Sequence, residues 1–221
     1  MLVSHGHQFI YTKTLKTAST SVEAYFEPFC VEEGALNLSR IREESVSDAG
    51  IVGFRGPGKP EGCRWWNHMP AAQIREQLGE AIWTRYFKFC VIRNPYEKAV
   101  SAFYFARSQG AIQPDPHASD SAQFESWLVS HGPPIDRNKY LIEGQFCLND
   151  VIRHESLAAD LERICARLKL PWNADALPRL KTGSRPKTAI AQALYTEQSR
   201  RLVEAAYKFE LDYFGYTFPS S

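Results

Sequence analysis

Lys16, Thr17, Ser19, Thr20 and Ser21 stand close together in QFIYTKTLKTASTSV (residues 8–22), and Arg93 and Ser101 bracket RNPYEKAVS (residues 93–101). Lysine and arginine supply positive charge and hydroxyls supply hydrogen-bond donors, so both sets suit phosphate-like oxyanions. Together they predict a ligand with anionic groups at two places. His68 adds a side chain that exchanges a proton near neutral pH.

Each set follows a short apolar run. Phe9-Ile10-Tyr11 predicts a buried strand, and Val22, Phe26 and Phe29 recur behind the turn at helical spacing. The turn therefore opens a helix, where unpaired N–H groups and the positive end of the macrodipole favour an anion. Phe87-Lys88-Phe89-Cys90-Val91-Ile92 predicts a central strand. Pro95 suits a first helical position, and Tyr96, Val100, Phe103 and Arg107 continue a helical face. Arg93 then sits at the strand's carboxyl end and Ser101 about two turns into the helix, where a guanidinium and a hydroxyl can converge on one phosphate.

No glycine lies between Gly6 and Gly34, so the first turn is not a G-x-x-x-x-G-K-[ST] loop. Lys16-Thr17-Ala18-Ser19-Thr20-Ser21 instead resembles the Lys-Thr-Ala-Gly-Thr-Ser motif of the sulfotransferases, which binds the 5′-phosphosulfate of 3′-phosphoadenosine 5′-phosphosulfate (PAPS). Ser19 stands where that family often has glycine, and Lys13 and Leu15 replace its common histidine and proline. Arg93-Asn94-Pro95-Tyr96 with Ser101 resembles the family's 3′-phosphate motif, in the family's order. The likeness is to the carbohydrate, Golgi-type sulfotransferase family 2, and runs from about residue 8 to residue 218.

The resemblance implies a P-loop-NTPase-like three-layer α/β sandwich with a mostly parallel central sheet. It implies sulfuryl transfer from PAPS to an acceptor hydroxyl, leaving 3′-phosphoadenosine 5′-phosphate (PAP), with no metal. Lys16 would offset charge on the bridging oxygen, and Lys16 through Ser21, Ala18 included, would hold the 5′-phosphate. Arg93 and Ser101 would hold the 3′-phosphate. His68 follows Trp65-Trp66-Asn67 in a loop where many carbohydrate sulfotransferases carry their base. Residues 178–190 form a basic loop whose Ser184, Arg185 and Lys187 would touch the nucleotide. The acceptor is a glycan, lipid or small-molecule hydroxyl, with Trp65, Trp66, Tyr104, Phe105 and Trp127 as aromatic candidates to stack on it.

The 221 residues predict one domain with an insertion at 34–64, rich in glycine toward its end, and a loop at 107–120. Hydrophobic residues are 44% and charged residues 23%, ordinary for a globular chain, and the net charge of +1 argues against nucleic acid or an anionic membrane as partner. Five scattered cysteines predict neither a disulfide framework nor a zinc site. The start MLVSHGHQFI lacks a signal-peptide pattern, and no apolar run spans a membrane. Since related Golgi enzymes are usually anchored, this predicts a cytoplasmic, bacterial enzyme or a piece of a longer chain.

A short strand is expected near Ile51-Val52, one helix with Ile74, Leu78 and Ile82 on a face, and a short helix at Phe124-Trp127-Leu128. Asp150–Glu155 predicts a strand, Leu157, Leu161, Ile164 and Leu168 a helix, and Leu202, Ala206, Phe209 and Tyr213 a last helix ended by Gly215. Two other functions compete. A small-molecule kinase with a degenerate P-loop requires an acid at a strand end for magnesium, but the strands end at Lys13, Arg93 and Arg153. Against a non-catalytic nucleotide-binding relative that keeps the fold but has lost turnover stand the intact Lys16, Arg93 and Ser101.

Overall fold

The computed structural model describes residues 1–178, 180, 185–186 and 190–219. In chain order the strands are β1 (Leu2–Ser4), β2 (Phe9–Thr12), β3 (Ser45–Val46), β4 (Gly50–Val52), β5 (Phe87–Ile92), β6 (Leu141–Ile142), β7 (Gln145–Phe146) and β8 (Asp150–Arg153). The α-helices are α1 (Ser19–Phe26), α2 (Ala71–Leu78), α3 (Glu80–Arg85), α4 (Pro95–Ser108), α5 (Asp120–His131), α6 (Leu157–Leu168), α7 (Ala191–Leu194), α8 (Glu197–Ala206) and α9 (Lys208–Phe214). They fall into two compact units, Met1–Ile92 with Asp136–Leu180, and Arg93–Ile135 with Lys181–Ser221.

The first unit holds a six-stranded sheet in the order β3-β4-β1-β2-β5-β8. β2, β5 and β8 run parallel, with Tyr11 opposite Phe89 and Phe89 opposite Asp150. The other three pairings are antiparallel, which overturns the expectation of a mostly parallel sheet. Connection length is the reason for two of the three. β1 reaches β2 through residues 5–8, and β3 reaches β4 through residues 47–49. Links so short permit only antiparallel pairing, whereas parallel neighbours need a crossover. β1 went unread because three residues carry no usable periodicity. Its fit is close: a Cβ on Gly50 of β4 would lie 2.1 Å from the Val3 carbonyl oxygen.

Phe9, Phe26 and Phe89 form the centre of this unit, with ring centroids 5.0 to 5.8 Å apart. Leu161, Ile164 and Cys165 of α6 belong to the same buried cluster. The face expected to carry Ile74, Leu78 and Ile82 on one helix is split into α2 and α3, because Gly79 takes φ 80° and stops the first. Lys88 lies buried in β5, and its ammonium donates to the Trp83 and Tyr86 carbonyls at 2.8 Å each, at the end of α3. No cysteine forms a disulfide.

Residues 34–64, which carry β3 and β4, are anchored to α1 and the turn after it by buried charge. Arg42 donates to both Glu27 oxygens, at 2.9 and 3.0 Å. Arg55 donates to Glu27 Oε2 at 2.6 Å and to Glu23 Oε2 at 3.1 Å. Lys13 donates to Glu23 Oε2 at 2.6 Å. Both arginines also reach backbone carbonyls, of Gly53 and Ser39. Burial works against the Glu23 carboxylate, but Lys13, the Met1 amino group, Arg55 and Arg42 outweigh it and hold its pKa well below the usual range.

In the second unit, α4 buries Tyr96, Ala99, Val100 and Phe103 against Phe124 and Leu128 of α5 and Val203 of α8. Asn94 caps α4 by accepting from the Tyr96 N–H at 3.0 Å, and Pro95 occupies the first helical position as expected. The last predicted helix is two, α8 and α9, which meet at Tyr207.

The buried cluster makes a stability prediction. Glu27→Gln leaves Arg42 and Arg55 short of a countercharge, so it should cost roughly 3–5 kcal/mol. Urea unfolding monitored by circular dichroism measures this, and a loss below about 1 kcal/mol would show the cluster to be dispensable.

Candidate functional site

The turn between β2 and α1 is held in a conformation that its residues do not favour. Lys16 has φ 58° and Ala18 φ 60°, both left-handed and neither glycine. Each costs roughly 1–2 kcal/mol, so the surroundings must enforce them. The Thr14 hydroxyl donates to the Val91 carbonyl at 2.5 Å and lies 2.8 Å from Thr17 Oγ1. Ser19 Oγ donates to the Thr14 carbonyl at 2.6 Å, and the Tyr11 hydroxyl donates to the Ser19 carbonyl at 3.1 Å. Asp136, buried and distant in sequence, accepts the Leu15 N–H at 2.5 Å.

These bonds assign the hydroxyls. Thr14 gives its one proton to a carbonyl, so Thr17 must donate to Thr14, and Ser19 has spent its own proton on Thr14. Ser21 Oγ accepts from the Leu180 N–H, which leaves its proton to give. Thr17 and Ser19 therefore build the turn with their side chains and offer an anion only their N–H groups. α1 makes its first backbone bonds from Ser21 and Val22 to the Ala18 carbonyl, so the N–H groups ahead of them lie outside the helix ladder. Serine at position 19 costs no backbone strain, because the left-handed residues are 16 and 18.

His68 belongs to the same unit. Trp65 and Asn67 pair with Phe54 through backbone bonds of 2.8 Å each, and His68 follows with φ 59°. Its Nδ1 lies 3.0 Å from the Lys13 carbonyl oxygen. A carbonyl only accepts, so Nδ1 carries the proton and Nε2 presents a lone pair. Burial first, and then the Lys13 ammonium, push the His68 pKa down to about 3. The imidazole is thus neutral throughout the ordinary pH range. Of the aromatic candidates, Trp65 and Tyr104 are core residues, while Trp66, Phe105 and Trp127 are half-buried. Lys59 Nζ lies 4.3 Å over the Trp66 ring.

Arg93, Ser101 and Arg185 belong to the second unit. Arg93 Nη2 donates to Glu97 Oε2 at 3.3 Å, and Arg185 Nη1 donates to the same oxygen at 2.5 Å. Two of the sequence-predicted cations, Arg93 and Arg185, therefore meet on one carboxylate. Ser101 is half-buried on α4, two turns from Arg93. Ser184 and Lys187 lie outside the described residues. Sequence reasoning missed Glu97, although its spacing of four from Arg93 is the signal for a helical ion pair. It also missed Asp136, whose contact with Leu15 no local pattern encodes.

Among the described residues, no helix is long and apolar enough to cross a membrane, and no group of three or more His, Cys, Asp or Glu side chains forms a metal-ligand cluster. A family model described as Sulfotransferase family matches residues 1–217, and the chain belongs to that family. No curated protein and no solved structure matches it.

The His68 environment has a measurable consequence. The fold disfavours the charged ring, so the unfolded chain takes up the proton first as pH falls below 6.5, and stability declines from there toward about 3. The His68 ring resonances should not titrate between about pH 5 and 8 by NMR. Lys13→Met should raise the midpoint. A wild-type midpoint near the ordinary histidine value would refute the assigned environment.

Proposed function

We propose that this member of the Sulfotransferase family transfers a sulfuryl group from PAPS to an acceptor hydroxyl, a glycan hydroxyl foremost, with residues 1–217 acting as one sulfotransferase domain. The observation that carries the reading is the strained turn between β2 and α1. The Thr14, Thr17 and Ser19 hydroxyls hold a backbone whose N–H groups ahead of α1 lie outside the helix ladder, in the turn that also carries the cation of Lys16. That set fits a phosphosulfate, as the Arg93 and Ser101 motif fits a 3′-phosphate in chemistry and number of donors. The parallel trio β2, β5 and β8 is the portion of the sheet that we equate with a P-loop-like sandwich.

When bound, PAPS supplies the sulfuryl group, whose bond to the 5′-phosphate oxygen breaks as the acceptor oxygen bonds to sulfur. The N–H groups from Thr17 to Thr20 hold the 5′-phosphate, and Ser21 contributes through its hydroxyl. Lys16 offsets the negative charge that gathers on the departing oxygen. Arg93 and Ser101 hold the 3′-phosphate and so select PAPS over ATP; Arg185, with Ser184 and Lys187, adds contacts to the nucleotide. His68 Nε2 takes the acceptor's proton while its Nδ1–H stays on the Lys13 carbonyl, so the ring keeps its orientation as it becomes charged. So weak a base accepts the proton late, once bonding to sulfur has made the hydroxyl acidic.

Cofactor choice is tested by thermal shift with PAP against ATP plus magnesium, followed by a transfer assay with labelled PAPS. PAP alone should stabilise the protein. Arg93→Ala should weaken PAP by about 2 kcal/mol, the worth of a charge-assisted contact, and AMP far less. Equal losses for both ligands would remove the 3′-phosphate from Arg93.

His68→Ala should cut turnover on the order of 10²-fold or more, with PAP affinity near wild type. Because the free ring stays neutral above about pH 3, the wild-type rate should show no histidine limb between about pH 5 and 8. Near-normal turnover in the variant sinks the assignment of the base.

A further inference from the structure

Asn94, which follows Arg93, has a side-chain amide used at both ends. Its Oδ1 accepts from the Tyr96 N–H at 3.0 Å, and its Nδ2 donates to the Thr217 carbonyl at 2.9 Å. The amide cannot be flipped without facing donor to donor and acceptor to acceptor. Phe218, the next residue, packs edge-to-face on Tyr96 at 4.9 Å and 82°, and on Tyr195 at 5.4 Å and 85°. The Arg200 guanidinium lies 4.6 Å over the Phe218 ring. Arg200 Nε donates to Glu204 Oε1 at 2.8 Å, the same oxygen that accepts the Tyr96 hydroxyl at 2.9 Å. The Tyr195 hydroxyl donates to the Tyr96 carbonyl at 2.9 Å, and Gln192 Nε2 donates to the Pro219 carbonyl at 3.3 Å.

We propose that the segment Thr217–Pro219 is a strap that positions the turn carrying Arg93, with Phe218 as its anchor. The inference rests on the reading of Arg93 as a 3′-phosphate ligand. Asn94 has φ −47° and ψ 122°, values that aim the chain into α4. They are fixed from within the helix by the cap and from outside it by Thr217. Phe218 keeps that carbonyl in place because three partners close on one ring, two aromatic edges or faces and a cation. Arg93 is then held on two sides, through its backbone by the strapped turn and through its guanidinium by Glu97. Preorganisation of this kind strengthens binding by removing the ordering cost that a loose arginine would incur on meeting a phosphate. Phe218 touches no ligand in this account and acts only through Asn94 and Tyr96.

The test uses the full chain, with PAP and AMP as probes in isothermal titration calorimetry and PAPS in steady-state kinetics. Phe218→Ala should weaken PAP about tenfold, because the edge-to-face contacts and the hydrogen bond they hold are together of that size. AMP should weaken less than about threefold, and kcat at saturating PAPS should persist while KM rises. Phe218→Tyr, which keeps the ring, should restore PAP binding. If Phe218→Ala does not fold, Asn94→Ser serves instead. It keeps a neutral cap acceptor, is too short to donate to Thr217, and should show the same PAP-selective loss. PAP affinity within about twofold of wild type in these variants, or equal losses for PAP and AMP, overturns the strap. A wild-type protein that does not prefer PAP to AMP overturns the 3′-phosphate reading itself, and the strap with it.

Discussion

A carboxylate held in the interior of the first unit, Glu23, is the constraint on which that unit's site depends. A buried charge persists only where countercharges and donors surround it. Lys13 and Arg55 meet that demand directly, and Arg42 adds its charge. The consequence reaches beyond stability. Drawing the Lys13 side chain toward Glu23 directs the Lys13 carbonyl to His68, and the carbonyl decides which ring nitrogen carries the proton. The same ammonium lowers the affinity of His68 for a second proton. Arg42 and Arg55 extend the cluster into residues 34–64 and tie that segment, which carries β3 and β4, to α1 and the turn after it.

The turn ahead of α1 depends on a second economy, of protons rather than charge. The Thr14 and Thr17 hydroxyls bond to each other, and those of Thr14 and Ser19 donate to carbonyls. Their role is to enforce left-handed backbone at Lys16 and Ala18, which sterics oppose in any residue with a Cβ. In the function proposed above, a hydroxyl-rich sequence thus serves as a backbone anion site. The side chains that attract attention as ligands serve largely as its scaffold.

Much of this was legible in residue order. β2, β5 and the start of α4 follow from apolar runs stopped by a basic or proline-bearing turn, because those signals are local. His68 stood out as the one histidine between the two motifs. Its low proton affinity was not legible, since it comes from burial and from Lys13, which lies 55 residues away in sequence. Asp136 was invisible for the same reason: it meets Leu15 across 121 residues. Glu97 was readable by spacing and was overlooked because a carboxylate beside two cations looks misplaced in a phosphate site.

By itself, the sequence determined the chemistry on offer: cations and hydroxyls at two helix starts, a histidine between them, and strands ahead of each. Those features depend on side-chain type and on the periods of helix and strand, which neighbours along the chain specify. Tertiary structure alone decided the direction of the strands, since the three-residue β1 turns back on β2 through a link too short to cross over and pairs antiparallel with the distant β4. It alone decided which hydroxyls remain as donors, which tautomer His68 adopts, and which carboxylate gathers Arg93 and Arg185. Each of these is settled by a contact between residues far apart in sequence, where a proton or a charge can have only one partner at a time.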